Sequence, residues 1–504
     1  MKQRKIVFMT GATGVMGSAG LRELMARRDR FDIRILVRPG EKNLKIARSL
    51  EHEPHVEIVW GDMTSYDDVL RGVAGEDGLR PADYVLHVGG MVSPKADRLP
   101  KTTRRVNVSA AENITKAVLA QPDAESIKVV YIGSVAQTSD RNPPLHWGRT
   151  GDPICISVYD HYAISKTIAE RIFVESGIKN WVCLRQSGIL HPGVANNFDP
   201  IMFHVPLRGV LEWATIEDSG RLLANVCEEW VPDEFWNRFY NIGSGREYRI
   251  TNYEFMRRLL ETISCPPPEL IFDPRWFALR NFHGQWFLDS DELDRMLRFR
   301  ENLTLDDYFR TRMRPAVPRW FRLLKLVPAP IIKLVMRALA HKKDVGTMDW
   351  IRRGDHDRIA ACFGSLEAWK SIPDWPGQDL STPSHVPLIN IDHGYDESKP
   401  LDRLDIEDMR VAARFRGGRC MSTEMKVGDL AKLLRWKCQF GHRFEASPAL
   451  VLQGGHWCPE CLPPAWNYDA IAVDNQFFAQ VWRPLHGGDE NNYYDESIYA
   501  DWEV

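Results

Sequence analysis

No apolar run in this chain approaches the roughly 18 residues that a membrane-crossing helix needs. The basic N-terminus, MKQRKIVFMTGATG, offers only four consecutive apolar residues before a Thr-Gly turn, too few for the apolar region of a secretory signal, so export is not expected. An excess of either charge is also missing: 65 Lys and Arg face 68 Asp and Glu, a formal net charge of −3 that gives no global attraction to nucleic acid. Cysteine is sparse, nine in 504 residues, mostly scattered singly and odd in number. That is not a secreted disulfide framework, and it fits a reducing cytoplasm. No internal repeat is visible. What is present, 44% hydrophobic and 26% charged residues, suits a soluble globular protein whose length asks for two to four units.

Short apolar runs alternate with amphipathic stretches through the N-terminal part. KIVFM (5–9), IRILV (33–37), VEIVW (56–60), DYVLHV (83–88), IKVVYI (127–132) and WVCLR (181–185) read as strands, with helical patterns such as NVSAAENITKAVLA between some of them. Strands separated by helices need parallel pairing with crossovers, so the fold class is α/β with a doubly wound parallel sheet. Its ligand is expected at the carboxyl ends of the strands. Beyond about residue 190 the alternation gives way to Pro-, Trp- and Phe-rich sequence, as a small substrate-covering lobe would. We divide the chain into 1–310 (sheet and lobe), a basic amphipathic segment 311–345, a helical linker region 346–417, a Cys/His module 418–464 and an acidic aromatic tail 465–504.

Thr10-Gly-Ala-Thr-Gly-Val-Met-Gly17 falls where the first strand meets the first helix, the context in which a glycine pattern points to a dinucleotide. Gly11 permits a tight turn, Gly14 lets the backbone approach a pyrophosphate, and Gly17 allows helix and strand to pack closely. The second strand ends in LVRPGEK; Arg38, helped by Lys42, suits a 2′-phosphate and favours NADP over NAD. Asp62, just past the third strand, is placed to meet the adenine amino group or to cap a helix.

Tyr162-Ala-Ile-Ser-Lys166 puts a phenol and an ammonium four residues apart on one helix face. Tyr162 is thus a candidate proton donor to a carbonyl oxygen, with Lys166 lowering its pKa and bonding the cofactor ribose, while Ser134, at the end of IKVVYI, would polarise the same oxygen. At this point the sequence resembles the extended short-chain dehydrogenase/reductases, the NAD-dependent epimerase/dehydratase family. TGATGVMG, GD (61–62), HVGG (87–90), VNV (106–108), YIGS (131–134), YAISK, LRQSGIL (184–190), ATIED (214–218) and FYNIGSG (239–245) follow one another in that family's order. The resemblance implies a Rossmann-like fold, the catalytic set Ser134, Tyr162 and Lys166, and a cofactor site drawn from Gly11, Thr13, Gly14, Val15, Met16, Gly17, Arg38, Asp62, Met63, Val88 and Gly89 besides Tyr162 and Lys166. It also gives Asn107 a helping position and Asp218 an anchoring one. The glycine motif, Arg38 and HVGG are closer to the dihydroflavonol reductase and 3β-hydroxysteroid dehydrogenase branch than to the sugar epimerases, since Gly133 precedes Ser134 and VAQTSD follows it. Trp147, Phe198, Phe203, Trp213 and Trp276 are candidate contacts for an apolar substrate.

Cys438-Gln-Phe-Gly-His442 and Cys458-Pro-Glu-Cys461 supply three thiolates and an imidazole at spacings suited to a closed, structural zinc site. The surrounding sequence resembles zinc-ribbon modules. Such modules often bind nucleic acid, but this one lacks a dense Lys/Arg run, so a folding or partner-docking role is expected as much. From Arg310 to Lys343 there are ten Lys or Arg and no Asp or Glu, with apolar blocks RWFRLLKLV and PIIKLVMRALA. This reads as two short amphipathic helices, either docked on the preceding domain or in contact with a membrane surface. The expectation is an NADP-dependent oxidoreductase acting on a small, apolar carbonyl or alcohol. Two alternatives stand beside it: a nucleotide-sugar epimerase or dehydratase, and a redox-sensing regulator whose zinc module meets a partner or nucleic acid. A homodimer is left open.

Overall fold

The computed structural model describes residues 3–50, 52–75, 80–196, 198–462 and 466–495. Residues 5–9 become strand β1 (Lys5–Thr10), followed by β2 (Phe31–Val37), β3 (Val56–Trp60), β4 (Tyr84–His87), β5 (Lys128–Ser134), β6 (Asn180–Gln186) and β7 (Arg238–Ile242). All seven pair in parallel in the order β7-β6-β5-β4-β1-β2-β3. The chain direction across the sheet reverses between β1 and β4, and this switch point opens a crevice at their carboxyl ends. The six strands expected from the sequence are all present. The seventh, RFYNI, lies in the aromatic-rich stretch where alternation had faded.

Because both faces of a parallel sheet are covered, alternate residues of one strand feed different cores. Phe8 packs with helices α3 (Tyr66–Ala74), α4 (Pro100–Leu119) and α5 (His161–Glu175), whereas Val7 and Met9 pack with α1 (Val15–Met25), α2 (Glu41–Leu50) and α6 (Ile216–Asn225). After β6 the chain builds short two-stranded sheets and helices that form the lobe over the strand ends.

The basic segment forms a 3-10 helix, Arg319–Leu326, and helix α7, Ala329–Ala340, as its two apolar blocks foretold. A small antiparallel sheet follows, β8 (Arg419–Cys420), β9 (Leu434–Lys437) and β10 (Arg443–Ala446), which frames the Cys/His cluster. The described part of the C-terminal tail contains two short helices, Tyr468–Asp474 and Gln476–Trp482, held by stacking of Trp482 on Phe478 and by the Arg280–Glu490 ion pair. Residues 465 and 496–504 of that tail, and 463–464 of the module, lie outside the described residues.

Candidate active site and metal centre

The β1–α1 turn has the geometry that its glycines dictate. Gly11 has φ +74°, and a Cβ there would stand 2.6 Å from the Gly89 Cα, so the β1 and β4 loops can touch only as glycines. At Gly17 a Cβ would lie 2.1 Å from the Gly11 carbonyl oxygen. Helix α1 therefore starts tight against the turn. The result is a cleft of about 390 Å³ whose walls include Gly11, Thr13, Gly14, Arg38, Asp62, Met63 and Gly89, seven of the residues expected to hold a cofactor. The others sit beside or behind it: Val15 is exposed at the helix start, Met16 and Gly17 are buried beneath it, and Val88 packs into the core. Asp62 accepts from the Thr64 amide and hydroxyl, both at 2.9 Å, so it also ties its own turn.

Ser134, Tyr162 and Lys166 come together where β5 meets α5. The Ser134 side chain stands close enough to the Tyr162 phenol to lower its pKa, and the Lys166 Nζ lies 6.0 Å from the centre of the Tyr162 ring. Lys166 donates to the Ile132 carbonyl oxygen at 2.8 Å and also reaches the cleft wall, for a Cβ placed on Gly90 would stand 3.5 Å from its Nζ. The electrostatics differ from the sequence-based expectation. Burial pushes the Tyr162 phenol up to about 12, partly offset by Ser134, instead of Lys166 bringing it down. The reason is that the ammonium is itself desolvated: burial lowers Lys166 to about 8, with Glu170 opposing the fall. Asn107 bridges the β4 loop to α5, accepting from the Met91 amide at 2.7 Å and donating to Ser165 Oγ at 2.8 Å. Asp218 accepts from Ser244 Oγ at 2.6 Å and the Glu301 amide at 2.8 Å, which pins the lobe.

Of the aromatic residues expected at the substrate, only Trp213 lines the apolar cavity of about 280 Å³ that begins at Val135, next to Ser134. Phe203 and Trp276 instead pack edge to face in the core, Trp147 packs on Trp286 and Arg249, and Phe198 is exposed. These four satisfy packing or solvent, not the cavity. The sequence reading also missed Asp97, Asp160 and His283, which line a smaller pocket adjoining Tyr159 and sharing Ile201, Phe282 and His283 with the apolar cavity. Burial raises Asp97 to about 7, with the Asp160 charge adding to it. Asp160 caps α5 by accepting from the Ala163 amide at 2.8 Å, a role its place two residues before Tyr162 could have signalled; Asp97 leaves no such trace.

A family model described as NAD dependent epimerase/dehydratase matches residues 7–202. Residues 7–202 thus match the epimerase/dehydratase family. Its relatives include mouse 3 beta-hydroxysteroid dehydrogenase type 7, 25% identical over 202 residues, 37% of this chain and 51% of the mouse protein. The chain thus spans about half the length of that relative. Solved structures with related folds include dTDP-glucose 4,6-dehydratase from Bacillus anthracis in complex with NAD, 15% identical at a TM-score of 0.47 and covering 64% of this chain and 100% of that one. UDP-glucose 4-epimerase from Bifidobacterium longum, with NAD+ and UDP, is 15% identical at a TM-score of 0.46 and covers 64% and 98%.

The ligand atoms of Cys438, His442, Cys458 and Cys461 lie within 4.8 Å of one another, in the module that packs on α5. The Cys461 and Cys438 sulfurs are 3.8 Å apart, and the His442 Nδ1 stands 3.4 and 3.6 Å from those of Cys461 and Cys458. A tetrahedral ion with metal–sulfur bonds of about 2.3 Å sets its sulfurs about 3.8 Å apart, so the donor set fits. The backbone amides of Phe440 and His442 face the Cys438 sulfur, and those of Glu460 and Cys461 that of Cys458, close enough to favour the thiolates. These amides would stabilise thiolates around a cation. Cys420 lies on β8 outside the cluster.

The Cys/His module is fastened to α5 by buried contacts. Glu170 pairs with Arg185 at 2.6 Å and with His456 at 2.8 Å, Arg185 donates to the Gly454 carbonyl at 2.6 Å, and Arg171 donates to that of Trp457 at 2.8 Å. Burial alone would raise Glu170, but Arg185 and His456 outweigh it and hold the carboxyl down at about 2.

Proposed function

We propose that the N-terminal domain is an NADP(H)-dependent oxidoreductase acting on a carbonyl or secondary alcohol of a small, apolar molecule. The observation that carries this reading is the convergence of the Ser134 hydroxyl on the Tyr162 phenol, beside an ammonium, Lys166, that reaches the wall of the glycine cleft at Gly90. The nicotinamide would supply or accept hydride. Tyr162, kept protonated by burial, gives its proton to the substrate oxygen in the reductive direction, while the Ser134 hydroxyl donates a second hydrogen bond to that oxygen. In the oxidative direction the phenol must lose its proton, against the burial that holds it protonated. Arg38 lines the cleft at the end of β2, where a guanidinium suits a 2′-phosphate, which supports NADP. The cavity lined by Met202, Leu211, Trp213 and Phe255 supports an apolar substrate, as does the hydroxysteroid chemistry in the name of the mouse relative.

The four-ligand Cys/His centre is read as a structural zinc site with no position left for water or substrate. A reducing compartment keeps its thiolates available to the ion.

Incubation of the chain with NADPH and a panel of ketones, steroids and aromatic aldehydes tests the reading. Alcohol product is expected to accumulate with an equal amount of NADP+ released into solution. Interconversion of nucleotide sugars with no net change in cofactor would replace the proposal by an epimerase or dehydratase.

A further inference from the structure

The basic segment carries one apolar stripe more than its packing uses. Residues 319–327 read Arg-Trp-Phe, Arg-Leu-Leu, Lys-Leu-Val, three repeats of cation, apolar, apolar. Eight of the nine form a 3-10 helix, which has three residues per turn, so each repeat position makes its own stripe along the axis. Phe321 is buried, and Leu324 and Val327 pack against the same core. Trp320, Leu323 and Leu326, by contrast, are 61, 60 and 70% exposed. The third stripe is Arg319, Arg322 and Lys325, all exposed.

Helix α7 repeats the division at helical spacing. Ile332, Met336 and Ala340 are buried, Ile331, Leu334 and Val335 are 54, 65 and 54% exposed, and Lys333 and Arg337 lie at the edge between the two faces. A docking role on the domain accounts for the buried stripes alone. Solvent exposure of the others leaves six large apolar side chains in water on two consecutive helices, where a soluble surface would place polar residues. Among the described residues no ion pair is formed by Arg319, Arg322, Lys325 or Arg337, Lys333 has Asp273 near it but not paired with it, and the sequence from 310 to 343 contains no Asp or Glu.

We propose that the 3-10 helix and α7 form a peripheral docking surface for anionic phospholipid bilayers, with Trp320, Leu323, Leu326, Ile331, Leu334 and Val335 entering the headgroup boundary and the neighbouring cations meeting lipid phosphates. Apolar residues and cations without acids are the combination that a negatively charged, apolar-cored surface complements. The mode is association only; no helix among the described residues is long and apolar enough to cross a membrane.

The test is sedimentation of the full chain with vesicles of phosphatidylcholine alone or mixed with phosphatidylglycerol, at low and raised salt. Binding to the anionic vesicles is expected, weaker in raised salt. The triple variant Trp320→Ser, Leu323→Ser, Leu326→Ser should lower partitioning by roughly tenfold or more with only a small fall in the thermal midpoint, since the three side chains are mostly in solvent and Trp320 alone keeps a ring contact, with Phe321. Neutralising Arg319, Arg322 and Lys325 with Gln should cost about fivefold per cation. No binding to anionic vesicles at low salt overturns the proposal. So does a concentration-dependent dimer that the serine variant turns into a monomer, which would assign the stripe to a second copy of the chain.

Discussion

Glu170, on the helix that carries Tyr162 and Lys166, meets the His456 imidazole at 2.8 Å across 286 residues of chain. The same carboxylate receives two hydrogen bonds from the buried Arg185 guanidinium, at 2.6 and 3.1 Å. One acidic side chain thus joins the helix of the candidate active site, the sheet and the Cys/His module.

Glu170→Gln leaves Arg185 charged, buried and without its counter-ion. Losing one partner of such a pair costs about 3–5 kcal/mol. Urea unfolding should show this loss, and a variant within about 1 kcal/mol of the parent would mean that Arg185 is compensated elsewhere.

Lys166→Met should separate stability from function. The Lys166 pKa falls from its ordinary 10.5 to about 8 in the fold, so the unfolded chain binds more protons than the folded one between those values. Stability from this group is therefore present above pH 10.5 and lost as pH falls through 8. Thermal melts across pH 7 to 11 should show the parent gaining stability relative to Lys166→Met over that window, while the variant loses turnover at every pH.

Metal removal should unfold the Cys/His module first. Chelation is expected to release one zinc per chain and lower the thermal midpoint, because the energy of binding an ion to such a centre is folding energy. Cys458→Ser should copy this effect without chelator. Metal analysis finding no zinc in the purified parent would remove the centre from the account.

Gly17→Ala places a methyl group 2.1 Å from the Gly11 carbonyl, whereas at Gly40 a Cβ meets nothing within 4 Å. Titration with NADPH should show binding lost in the first variant and kept in Gly40→Ala.

The legibility of this protein in its sequence follows the range of the interactions. Six strands of the sheet are readable because each writes a local apolar run, most of them by being buried on both faces, and the Cys/His cluster is readable because two tight knuckles fix the spacing of its side chains. Strand β7 is not, since its RFYNI run is one of many aromatic stretches. Glu170 reads as a helix-surface charge until the fold brings Arg185 and His456 to it. Phe203 and Trp276 mislead in the opposite way: nothing local distinguishes an aromatic residue that fills a core from one that faces a cavity, and here the core claims both. The Tyr162 phenol was expected to be lowered by its neighbour, but desolvation, a property of the folded site alone, raises it.

The most direct test of the account is Tyr162→Phe, assayed for NADPH binding and for ketone reduction on the same preparation. Removing the proton donor should lower turnover by roughly 10²–10⁴-fold with cofactor affinity unchanged. Turnover that survives the substitution would contradict the assignment of Tyr162 as the group that gives the substrate its proton.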